Sequence, residues 1–176
     1  MQRVLAFLLI SIFFIAGCQP TIPKDALTLS PEVLAQRQIQ TKKYETSDEA
    51  KILSASAALL QDMGFNIDES ETKLGLISSS KMRGAENWGQ ITLSILVALL
   101  GGGATSVDKE QMLRACIVTR PVGEHGEYIA VRVTFQRIVW NTEGQVTKSE
   151  SLTDPKIYQE FFDKLSKSIF LEAQEL

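Results

Sequence analysis

Apolar residues return along this chain in two rhythms, one of three and four, the other of two. From Ala50 onward, Leu53, Ala57 and Leu60 fall on one line and Ile52, Leu59 and Met63 on the next, a stripe that predicts an amphipathic helix. Thr46-Ser47-Asp48-Glu49 reads as its capping box, with Thr46 accepting from the backbone of Glu49 and Glu49 reaching back. Gly64 stands where a left-handed C-terminal cap is needed. A second helix is expected near the C-terminus. Asp154 supplies its N-cap, Pro155 its first position, and Tyr158, Phe161, Phe162, Leu165 and Ile169 its apolar side.

The period-two stretches lie between and before these helices. Ile39–Tyr44 reads as a first strand, followed after the helix by Phe65–Ile67, a polar turn at 68–73, and Leu74–Ser80. Met112–Arg120 places Leu113, Ala115 and Ile117 on one face. Pro121–Gly126 is a turn by its Pro and Gly content. In the longest strand, Ile129, Val131, Val133 and Phe135 point one way while Arg132, Thr134 and Gln136 point the other. Asn141–Gly144 closes a hairpin into Gln145–Leu152. This order predicts an α+β fold: a single antiparallel sheet over residues 37–176, two helices packed on one face, and an insertion at about 84–107.

The run Leu59-Leu-Gln-Asp-Met-Gly-Phe-Asn-Ile-Asp68, followed by Leu74-Gly-Leu-Ile77, resembles small bacterial outer-membrane lipoproteins with a helix-grip domain. The C-lipoprotein of the barrel-assembly machinery is of this kind. The likeness covers about 30 residues and the order of elements, and it implies a non-catalytic scaffold domain. This chain departs from that pattern in having one such domain and in carrying the insertion.

Upstream of the domain, residues 19–36 hold Pro20, Pro23 and Pro31 and read as a tether. The first 17 residues have the layout of a secretory signal, with basic Arg3 ahead of an apolar run from Val4 to Ile15. Ile15-Ala16-Gly17-Cys18 resembles a lipobox, which implies cleavage before Cys18 and covalent lipid on its thiol. Residues 18–36 would then be the lipidated N-terminus and tether. Several acyl chains on one cysteine hold firmly, since each buried methylene contributes about 0.8 kcal/mol. Gln19, where an Asp would favour inner-membrane retention, implies the outer membrane, with the domain facing the periplasm.

Between Glu86 and Asp108 the chain carries no charge. Trp88 leads into Ile91, Leu93, Ile95, Leu96, Leu99 and Leu100, and then come three glycines, 101–103. A helix over 91–100 would be apolar nearly all round, so protein or lipid must bury it. It would rise only about 15 Å, and 88–107 would reach about 30 Å. Three readings stand: a segment folded onto its own domain, an interface with another copy or another envelope protein, or insertion into the membrane. Trp88, Ile91, Leu93, Ile95, Leu96, Leu99 and Leu100 are the expected contact residues.

The formal net charge of −3 is spread along the chain with no basic run, which argues against nucleic acid as a partner. Cys116 is left as the one thiol after lipidation and is expected to be a buried small apolar residue. Catalysis has little to stand on. His125 is the only histidine and lies in a Gly-flanked turn. Ser78-Ser79-Ser80 before Lys81 suggests a Ser/Lys pair on paper, but a polar strand edge explains it as well. Asp68, Glu69 and Glu71 fall in one turn, where they keep it solvated or, alternatively, hold a cation weakly; no Cys/His cluster offers a metal site, and glycines 101–103 lack the lysine and spacing of a phosphate loop. No cofactor is expected beyond the lipid on Cys18. The expectation is a non-catalytic outer-membrane lipoprotein that joins a multiprotein envelope assembly, of secretion or barrel-assembly type. The alternatives are a membrane-inserting oligomer that uses 88–107 and a binder of an apolar ligand.

Overall fold

A computed structural model describes residues 29–84 and 108–172 of the chain. Within the unit Pro31–Leu176 the order is α1 (Pro31–Ile39), β1 (Thr41–Tyr44), α2 (Glu49–Asp62), β2 (Asn66–Glu71), a 3-10 turn (Thr72–Leu74), β3 (Leu76–Gly84), β4 (Asp108–Val122), β5 (Tyr128–Asn141), β6 (Val146–Ser151) and α3 (Pro155–Glu172). The class is α+β, with one open antiparallel sheet of six strands in the order β1-β5-β4-β3-β2. β6 pairs with the same edge of β5 as β1 does. β1 takes Ile129–Arg132 and β6 takes Gln136–Trp140. Across the seam between them, Val133 N donates to Gln40 O and Leu152 N to Phe135 O, so the backbone of β5 stays paired.

Alternation does in the sheet what the sequence pattern asks. Ile129, Val131, Val133 and Phe135 of β5 meet Leu113, Ala115 and Ile117 of β4 and Ile77 of β3 on one face, all at most 4% exposed. Ile52, Leu53, Leu59 and Leu60 of α2 and Tyr158, Phe161, Phe162 and Leu165 of α3 lie over that face. Phe135 is the hub, with ring centroids 5.8 Å from Tyr158, 5.7 Å from Phe161 and 6.5 Å from Phe65. Tilted and edge-on contacts of this kind add to the area they bury.

The helix ends explain their own positions. α2 finishes in a Schellman motif: Gly64, at φ +80°, donates to Gln61 O, and Phe65 N reaches back to Leu60 O. Phe65 and Leu60 are both buried, which supplies the hydrophobic contact of that motif. At the start of α2 the expected capping box is not formed. Asp48 is the N-cap and accepts from Lys51 N, Thr46 Oγ1 accepts from Asp48 N, and Glu49 turns away to accept from Thr119 Oγ1 at 2.7 Å. A carboxylate one residue before the helix satisfies the first-turn amide directly, so the threonine stands two residues outside the cap. Asp154 caps α3 as expected, accepting from Lys156 N.

The N-terminal boundary also shifts. Residues 31–36, expected in the tether, and Ile39, expected in β1, belong to α1, a third helix. Pro31 opens it, Glu32 sits in the first turn and Arg37 in the last, each suited to its end of the helix dipole. No residue of α1 is fully buried, so it carries no stripe that a pattern search can detect. The strands run longer than their apolar cores: β4 extends to Val122, and β3 to Gly84.

Candidate interaction face

With α2 and α3 on one side, the opposite face of the sheet carries no helix among the described residues, and its side chains form rows set by the strand register. Leu76, Val118 and Arg132 form one row, Ser78, Cys116 and Thr134 the next, then Ser80, Arg114 and Gln136, then Met82, Met112 and Ile138. The last row is apolar throughout, whereas each of the other three carries polar or charged side chains. At the apolar end, Met82 is 56% exposed and Val146 57%. A cleft of about 250 Å³ opens there, lined by Met82, Glu110, Trp140, Asn141, Thr142 and Gly144. At the other end a cleft of about 430 Å³ is lined by Arg37, Thr41, Val118, Arg120, Ala130 and Arg132.

The apolar end is also where β3 and β4 open. Gly84 pairs with Glu110 in the last rung of an antiparallel hairpin whose first rung joins Leu76 to Val118. Strands paired this way bring their Cα atoms to about 5 Å. The two strand ends therefore stand side by side at this point of the sheet. Trp88, Ile91, Leu93, Ile95, Leu96, Leu99 and Leu100, and Cys18 as well, lie outside the described residues.

The residues considered for catalysis are drawn apart. Ser80 and Lys81 are neighbours on a strand, so they face opposite sides of the sheet. Ser80 donates to Asp68 Oδ1 at 2.8 Å, Ser79 to Ala115 O, and Lys81 Nζ to Met63 O at 2.8 Å. That last bond sets an ammonium at the carbonyl end of α2, where the helix dipole favours it. Ser79, Ser80 and Lys81 thus have structural partners. His125 is exposed in the β4–β5 turn, where its N–H donates to Glu127. Backbone donors around Glu127 hold its carboxyl below the usual range. Among the described residues no three His, Cys, Asp or Glu side chains converge as metal ligands.

Cys116 departs from its expected place. It lies on the open face, opposite in phase to Ala115 and Ile117, and is half-buried rather than in the core. Desolvation pushes its thiol up, partly offset by the positive charge of Arg132. The strand pattern of Leu113, Ala115 and Ile117 already places Cys116 on the other side. The cationic cleft is the feature that the sequence did not give up. The alternation of β5 places Arg132 on the outer face, but its meeting with Arg120 and Arg37 depends on strand register and on α1.

Among the described residues no helix is long and apolar enough to cross a membrane. No protein-family model matches the chain, and neither does any curated protein.

Proposed function

We propose that this chain is a lipid-anchored protein of the bacterial outer membrane, held through Cys18, whose α+β domain docks onto other envelope proteins and performs no chemistry of its own. The anchoring half rests on Ile15-Ala16-Gly17-Cys18 and the apolar run before it. The docking half rests on one observation, the β3–β4 hairpin closed by Gly84 and Glu110. The stretch between Glu86 and Asp108 carries no charge, and the strand ends on either side of it, Gly84 and Glu110, lie beside Met82 at the apolar end of the open face. The exposed Met82 and Val146 on that face support a contact surface, since contiguous exposed apolar area marks an interaction site. The space beneath α2 and α3 is filled by Phe65, Phe135, Tyr158, Phe161 and their neighbours, which favours docking over carriage of an apolar ligand.

Two variants test the reading in turn. Cys18→Ser should move the protein out of the detergent-soluble outer-membrane fraction, and unchanged fractionation would overturn the anchor. Replacing 88–107 by an Asn-Gly turn, which suits a two-residue hairpin, should leave the urea unfolding curve in place. It should also abolish the envelope proteins cross-linked through a photoreactive residue at position 82. An unfolded product would overturn docking in favour of a core segment. Retained cross-links with loss of vesicle leakage would overturn it in favour of membrane insertion.

A further inference from the structure

We infer that the cationic cleft at the α1 end of the open face is a binding site for a phosphate ester bearing an apolar substituent. Three arginines from three separate elements line it: Arg37 from the last turn of α1, Arg120 from β4 and Arg132 from β5. Lys43 lies on the same face, opposite Ala130 in the β1–β5 register, and Ala130 in turn pairs with Arg120. Among the described residues no carboxylate lies within ion-pairing distance of any of the three arginines. The ion pairs among the described residues are Arg137 and Lys148 with Glu150, and Lys164 with Glu160. Glu49 is bonded to Thr119, which faces the helices.

Arg132 is held in place rather than free to reach solvent. One of its terminal amino groups donates to Gln40 Oε1 at 3.2 Å, Gln40 Nε2 donates to Tyr158 Oη at 3.3 Å, and Tyr158 donates to the carbonyl of Leu152. Gln40 is 5% exposed and Tyr158 1%. This chain of bonds ties the guanidinium to the core from behind. Its Nε is buried without a partner, as is Nε2 of Gln36 on α1. A cation that is partly desolvated, fixed in orientation and without an anion is unfavourable by itself. An incoming anion offsets that cost, and immobilising the guanidinium beforehand removes an ordering cost from binding.

The chemistry of the ligand follows from the lining. One guanidinium satisfies a carboxylate through two parallel bonds, whereas three around one cleft suit a group with several oxygens and more than one negative charge. Val118 and Ala130 give the cleft an apolar wall between the arginines, which a bare inorganic ion would leave uncovered. A phosphate carrying an organic group satisfies both. The source is either a soluble phosphate ester or the headgroup of a phospholipid.

The test uses the full-length chain with Cys18→Ser, so that no covalent lipid contributes, and phenyl phosphate as the soluble probe. Titration followed by calorimetry should show saturable binding, tighter than that of inorganic phosphate. Arg37→Glu and Arg120→Glu, both at exposed positions, should each weaken it by about tenfold or more, as loss of a charged hydrogen bond implies. Arg114→Glu, on the same face but outside the cleft, should leave it within a small factor. A parallel arm measures co-sedimentation with vesicles of phosphatidylcholine with and without phosphatidylglycerol. Vesicle binding lost with the same two arginines assigns the site to a lipid headgroup, and phenyl phosphate binding without it assigns the site to a soluble ester. Absence of saturable phenyl phosphate binding, or binding equally affected by Arg114→Glu, overturns the site.

Discussion

Gly75 and Gly144 have nearly the same backbone conformation and very different surroundings, which makes them a controlled pair. Their φ values are +62° and +76°, in the left-handed region. A methyl group at Gly144 meets nothing within 4 Å, so Gly144→Ala should cost only the left-handed penalty, about 1–2 kcal/mol. At Gly75 the added carbon falls 2.6 Å from Thr119 O, 2.5 Å from Thr119 Oγ1 and 2.8 Å from Glu49 Oε1. These atoms form a knot. Thr119 N donates to Gly75 O at 2.7 Å, and Thr119 Oγ1 lies between Gly75 O and Glu49 Oε1. The β4 backbone cannot give way without breaking those bonds, each worth about 1 kcal/mol net. Gly75→Ala should therefore cost about 3–4 kcal/mol, the left-handed penalty plus two such bonds. For a domain of this size about 1 kcal/mol lowers Tm by roughly 2–4 °C, so the two variants should separate clearly in urea and on heating. Thr119→Val, which keeps the backbone bond and loses the hydroxyl, should fall between wild type and Gly75→Ala. Equal losses for the two alanine variants would refute the knot.

Two further outcomes follow from the core. Phe135→Ala removes the hub of the aromatic cluster and should cost about 3–5 kcal/mol, whereas Phe135→Leu should cost less than about 1.5 kcal/mol. Chemical denaturation of both variants checks the pair. Burial is the main cause that pushes the phenol of Tyr44 up to about 12, with the hydrogen bond shared with Ser166 opposing it and the charge of Asp163 adding to it. The unfolded chain gives up that proton near 10 and the folded protein holds it longer, so this contribution is intact below 10 and fades as pH rises through about 12. Tyr44→Phe should flatten the alkaline fall in stability, measured as the difference in urea midpoint between the two proteins below and above pH 10.

The sheet and its two covering helices were legible because burial writes itself into spacing. Ile129, Val131, Val133 and Phe135 alternate since one side of the strand meets α3, and Leu53, Ala57 and Leu60 recur since one side of α2 meets the sheet. α1 was not legible because it buries nothing completely, and a helix without a buried face has no stripe. The cap of α2 was misplaced by two residues because Thr46 and Asp48 are both good caps, and Glu49 was claimed by Thr119, 70 residues away. Arg37, Arg120 and Arg132 share no local pattern at all. Their meeting is a product of register, and register is decided by pairing across the whole sheet.

The closing pair of Gly84 and Glu110 has a consequence for modularity. Because the hairpin is zipped up to its last rung, the sheet tolerates differences in the length of what it carries. Doubling such a connection costs only about 0.6 kcal/mol in closure entropy. The junction after Gly84 is therefore a natural splice point, where a reporter domain with adjacent termini could be inserted without disturbing the register of any strand. The same insulation would let evolution exchange one connecting segment for another, altering what the domain touches while the framework beneath stays constant.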